Sequence, residues 1–127
     1  MTDRLYDDSP ETIADVCEET AALLEGQWTK GRWRWGIGAG NYSYCLEGGL
    51  MVTLGVNIYE AELDHHLREK VFDSPVIGAI KEVLMEQCED FNPAHRLAGW
   101  NDEDETTEQD VLDLLHATAK HVLGVEG

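Results

Sequence analysis

Cys45, His95 and then Asn101 or Asp102 follow one another in the chain order that cysteine hydrolases use. In that chemistry a thiolate attacks an acyl carbon, a histidine takes and returns the proton, and a third polar group orients the ring. If a helix starts near Tyr44, the Cys45 thiol stands at its positive end, where the dipole lowers a thiol pKa. Spacing alone does not bring three side chains together. A buried cysteine at the start of an apolar helix needs no chemistry at all. Asn101 and Asp102 precede a helix, where their side chains bind backbone amides and fix a turn. The favoured reading therefore assigns no catalytic residue and keeps Cys45, His95 and Asp102 as the set an enzyme would use.

A second group of residues suits binding. Trp28 to Cys45 reads WTKGRWRWGIGAGNYSYC and carries Lys30, Arg32, Arg34 and three of the four tryptophans, with no acidic residue. Arg32, Trp33, Arg34 and Trp35 form a basic, aromatic rim suited to stacking and to holding an anion. The glycines at 36, 38 and 40 do not match the spacing of a dinucleotide fingerprint, and no phosphate-binding lysine motif accompanies them. A turn explains them better than an anion-binding nest. The histidines assemble no metal site: His65 and His66 fall on different helix faces, and His116 and His121 are five apart where ligands need three or four. No metal and no cofactor is expected.

The rest of the chain bounds what the rim can meet. There are 26 Asp plus Glu against nine Lys plus Arg, a net charge of −17. Setting the island's three basic residues aside leaves six against 26, a balance of −20. Such a surface repels phosphate backbones and anionic lipid, so direct nucleic-acid and membrane binding are not expected. It admits generic acidity, a docking face for a basic protein, or a DNA mimic with carboxylates in rows, Glu18, Glu19 and Asp102 to Glu105 being the first to test. Three widely spaced cysteines, Cys17, Cys45 and Cys88, make no disulfide framework. With an acidic, polar start and no long apolar run, the chain is expected to be cytoplasmic.

The elements that must position these residues are mostly helical. Ser9 and Pro10 open a helix carrying Ile13, Val16, Cys17, Thr20 and Leu24 on one face, with Gly26 at its end. Alternation at 32–35 predicts a strand, GIGAGN a turn, and Tyr42 to Tyr44 a returning strand. CLEGGLMVTLG predicts a buried helix closed by Gly55, with Gly48 and Gly49 allowing close packing. A helix over 58–71 would put Leu63, Leu67 and Val71 on one face. Ser74-Pro75 opens another, with Val76, Ile77, Ile80, Val83, Leu84 and Cys88 as its stripe. Asn92-Pro93 predicts a short helical turn ending near Gly99. The last helix starts at Thr106 or Thr107, buries Val111, Leu114, Leu115, Thr118 and Val122, and ends at Gly124. Trp28 and Trp100 are expected in the core, with one of Trp33 and Trp35 facing inward. The expectation is a mainly α single domain over 1–127, with 1–8 as a flexible arm. It has four to five helices and room for a short β-hairpin near residues 32–44.

Four segments taken together, WTKG, YCLEGGL, GWND and TTEQDVLDLL, resemble an uncharacterised family of small proteins from actinobacteria and their phages. That family shows W-x-x-G, then C-x-x-G-A-L, then W-N-D before a helix containing E-V. Here Gly49 stands in place of the alanine, Asp110 in place of the glutamate, and 56–74 is longer than usual. The resemblance carries no activity. It implies that Trp28, Gly31, Cys45, Gly48, Trp100, Asn101 and Asp102 form a structural motif. It also implies a non-enzymatic accessory protein, phage-encoded or actinobacterial, that binds an unknown protein partner such as a host protein, or associates with itself. A DNA mimic and a cysteine hydrolase are the alternatives.

Overall fold

Ser9 sets the first helix, α1 (Pro10–Leu24): its backbone is extended and its Oγ accepts the Thr12 N–H at 3.4 Å. The computed structural model describes residues 4–36 and 42–124. Among them α1 is followed by a two-stranded antiparallel hairpin, β1 (Arg34–Trp35) and β2 (Ser43–Tyr44), and then by α2 (Leu46–Thr53), α3 (Ile58–Leu63), α4 (His65–Phe72), α5 (Pro75–Gln87), α6 (Leu97–Asn101) and α7 (Glu108–Leu123). The mainly helical class and the hairpin agree with the sequence. Most of the expected turn GIGAGN lies outside the described residues.

Packing follows the apolar stripes. α1 lies along α7, and α5 and α2 flank that pair. Ile13, Val16, Cys17 and Leu24 meet Val111, Leu114 and Leu115 in one core shared with Leu46, Leu50, Ile77, Ile80 and Leu84. Each such fully buried leucine or isoleucine contributes roughly 1.5–3 kcal/mol. Buried threonines stay satisfied by bonding back along their helices, Thr20 Oγ1 to Val16 O at 2.7 Å and Thr118 Oγ1 to Leu114 O at 2.8 Å. α7 opens with a capping box: Thr107 Oγ1 accepts the Asp110 N–H, and the Asp110 carboxylate accepts the Thr107 N–H.

Three expectations are corrected. The helix over 58–71 is two helices, because Asp64 leaves the helical region and caps α4, its Oδ1 accepting the N–H groups of His66 and Leu67. An aspartate that captures backbone amides ends one helix and begins the next. Leu63 therefore leaves the apolar stripe and is 73% exposed, while Val71 stays buried. Near Asn92-Pro93 the chain makes a turn in which Asn92 Oδ1 accepts the Ala94 N–H, and the helix starts five residues after Asn92, at Leu97. Residues 4–8 do not extend away as an arm: Leu5 is buried, and Arg4 donates to Thr53 O and to the Glu19 carboxylate.

Candidate binding rim and the clamp beneath it

The hairpin is fixed from both sides. Tyr44 exchanges backbone hydrogen bonds with the segment before it, its N–H donating to Gln27 O at 2.8 Å and its carbonyl accepting the Thr29 N–H at 3.0 Å. Its other neighbour is Arg34. Gly31 turns the chain between these partners at φ +81°, a left-handed conformation that favours glycine. The Cys45 N–H then donates to Trp33 O at 3.3 Å. That same carbonyl lies against Gly48, where a Cβ would sit 1.8 Å from its oxygen. Only glycine lets the first turn of α2 approach the hairpin this closely.

Asn101 ties α6 to this assembly. It is fully buried, and its Oδ1 accepts both the Trp28 indole N–H at 2.6 Å and the Leu46 N–H at 3.1 Å. Its Nδ2 donates to Thr29 O and to Asp102 Oδ1. Asp102 Oδ1 accepts the Gly31 N–H at 2.8 Å. Three segments far apart in sequence are thus joined by two adjacent side chains. Trp28 is half-buried rather than enclosed, although its indole N–H reaches this fully buried partner.

Glu47, on the first turn of α2, is 1% exposed. A buried carboxylate is tolerated only when charge and lone pairs are met. Arg96 donates to it through Nη2 at 2.5 Å and Nε at 3.4 Å, Trp33 Nε1 at 3.0 Å, and the Ala98 N–H at 3.2 Å. Hydrogen bonding to this carboxylate raises the Arg96 pKa, against the opposing effect of burial. The guanidinium also lies over Phe72, 4.6 Å from the ring centroid.

The rim stands on this support. The Arg32 guanidinium lies 4.5 Å from the Trp35 ring centroid, and that of Arg34 lies 4.6 Å from the Tyr42 centroid. Trp35 is 51% exposed, whereas Trp33 turns inward toward Glu47 and Phe72. A cavity of about 340 Å³ opens beside Arg32, lined also by Trp33, Cys45, Arg96 and Asp102. A second of about 340 Å³ opens beside Arg34, lined by Tyr44, Val52, Val56 and Ile58.

A sequence model of DUF6197, described as a family of unknown function, matches residues 8–121. The chain belongs to that family. No curated protein and no solved structure matches it. The stretch matched by the DUF6197 model contains every residue of the clamp.

The structure brings Trp28, Gly31, Cys45, Gly48, Asn101 and Asp102 together. Trp100 lies apart, half-buried against the core, its carbonyl accepting the Thr106 hydroxyl at 2.7 Å. Cys45 caps α2, and its sulfur accepts the Gly48 N–H at 3.4 Å. Burial pushes its thiol up to about 12, opposite in sign to the lowering expected at a helix start, because desolvation outweighs the amide contacts. His95 is exposed on the turn after Asn92, and among the described residues its ring makes no hydrogen bond to Cys45 or Asp102. Among the described residues no group of three or more His, Cys, Asp or Glu is placed to hold a metal ion, and no helix is long and apolar enough to cross a membrane. Glu18 pairs with His116 at 2.9 Å and Glu19 with Arg4, so both carboxylates are engaged within the fold.

Sequence reasoning missed Glu47 and Arg96. The signal was present: a lone carboxylate inside CLEGGLMV must be buried with the apolar run around it, and so requires a cationic partner.

Proposed function

We propose that this DUF6197 protein is a non-enzymatic accessory protein that works by binding another protein through the rim, with Arg32, Arg34 and Trp35 facing the partner and Trp33 turned inward beneath them. The observation that carries this reading is the half-exposed Trp35 with a guanidinium stacked on it, mounted on a clamp of buried hydrogen bonds. Exposed tryptophan and arginine on a preorganised support are the residue types that dominate interface energetics. The resemblance to proteins of actinobacteria and their phages makes a host protein the partner of first choice. The raised thiol pKa of Cys45 weighs against a nucleophile there.

Photocrosslinking tests the reading. A benzophenone amino acid at position 35 is expected to yield a discrete crosslinked species in actinobacterial lysate, whereas the same group at the exposed Tyr59 on α3 is not. Identical crosslinking patterns from the two positions would remove the rim from the mechanism.

A further inference from the structure

We infer that the rim receives an acidic segment of its protein partner, with carboxylates on Arg32 and Arg34 and an apolar side chain in the cavity beside Arg34. The chain offers 26 carboxylates. Even so, neither guanidinium makes an ion pair or a hydrogen bond among the described residues. Arg4 and Arg96, by contrast, are each paired to a carboxylate. The two guanidinium groups lie over the Trp35 and Tyr42 rings, 4.5 and 4.6 Å from the centroids. A ring contact uses none of a guanidinium's N–H donors in an ion pair, and two parallel donors of that group match a carboxylate. Preorganisation of this kind lowers the ordering cost of binding.

The surroundings select the partner. The cavity beside Arg34 is of mixed character, Val52 and Val56 giving it an apolar side and Asn57 a polar one, with Val52 exposed to a docking side chain. A nucleic acid also offers anionic acceptors, but its phosphates are dense along a strand and would face the −20 balance on the rest of the chain. A short acidic segment carries its charge locally, within the roughly 8–10 Å over which salt leaves a charge visible. Such a partner presupposes the protein-binding reading above.

The probe is a fluorescein-labelled peptide alternating glutamate and leucine, measured by anisotropy against a glutamine–leucine peptide and a labelled single-stranded oligonucleotide. The glutamate peptide is expected to bind and to weaken as salt is added, while the other two do not bind. Arg32→Gln and Arg34→Gln should each weaken it about tenfold, the loss of one charge-assisted contact. Equal binding of the glutamine peptide, preference for the oligonucleotide, no binding at low salt, or an unchanged affinity in the double variant would overturn the inference. Capture of a cellular partner separates this failure from that of the broader reading. Capture that survives Arg32→Gln/Arg34→Gln but not Trp35→Ala removes only the acidic segment. Capture indifferent to all three changes removes the rim itself.

Discussion

The indole N–H of Trp28 donates to Oδ1 of Asn101 at 2.6 Å, across 73 positions of chain. The same oxygen accepts the Leu46 N–H, so one buried amide joins the end of α1's connection, the start of α2 and the end of α6. Asn101→Ala leaves the buried Leu46 N–H and the half-buried Trp28 indole N–H without their acceptor. A loss of about 2–4 kcal/mol is expected in urea unfolding. Asn101→Asp keeps the acceptor, forfeits the donation to Thr29 O and sets a second carboxylate beside Asp102, so it should rescue little.

The Glu47–Arg96 pair predicts an asymmetry. Arg96→Ala leaves a buried carboxylate with neutral donors only and should cost roughly 3 kcal/mol, tempered by the 51% exposure of the arginine. Glu47→Gln keeps an acceptor for Trp33 and Ala98 and should cost less. Replacing both by apolar residues, as in Glu47→Leu/Arg96→Met, should recover much of the single-variant loss. A double variant less stable than either single would contradict the placement of the pair.

Adjacent glycines on α2 should respond differently to alanine. At Gly48 the new Cβ would meet backbone, the Trp33 carbonyl, which cannot yield without moving the hairpin. Gly48→Ala is expected to cost about 1–3 kcal/mol and to shift the Trp33 fluorescence. At Gly49 the nearest atoms are side-chain methyls, Leu24 Cδ2 at 3.0 Å and Thr20 Cγ2 at 3.2 Å. There the helical gain of alanine over glycine, up to ~1 kcal/mol, offsets the crowding. Equal losses at both positions would show that the approach of α2 to the hairpin is looser than described.

The contrast between the two glycines shows what was readable in the sequence. That this pair permits close packing follows from two glycines in an apolar helical run. Which of them meets backbone depends on Trp33, whose carbonyl arrives from another element. Helix ends set by local chemistry, Ser9 at α1 and Thr107 at α7, were readable because a cap and its amide lie within three residues. The break at Asp64 is equally local but was masked by a helical apolar spacing that Leu63 does not use. The Glu47–Arg96 pair was not readable as a pair, since 49 residues separate its members and only the fold brings them together.

Burial pushes the thiols of both Cys17 and Cys45 up to about 12, from an ordinary 9.0. In the unfolded chain these groups lose their protons near pH 9, while the folded protein retains them. Stability is therefore fully present below about pH 9 and is lost as pH rises toward 12. Urea midpoints should fall across that window, and Cys17→Ala/Cys45→Ala should flatten the fall while lowering the midpoint at neutral pH. Alkylation of the folded protein at pH 8 should mark the half-buried Cys88 first. Rapid alkylation of Cys45 would contradict its burial and restore it as a nucleophile.

Quantitative affinity capture from actinobacterial lysate tests the central claim most directly, using the wild-type chain, Trp35→Ala and the exposed control Tyr59→Ala. Trp35 contributes its half-exposed ring to the rim, and Tyr59 lies on α3, outside it. Binding through the rim predicts a protein enriched on the wild type and on Tyr59→Ala and depleted about tenfold or more on Trp35→Ala, as expected for loss of a central aromatic anchor. The same proteins recovered at equal yield on all three baits would contradict it.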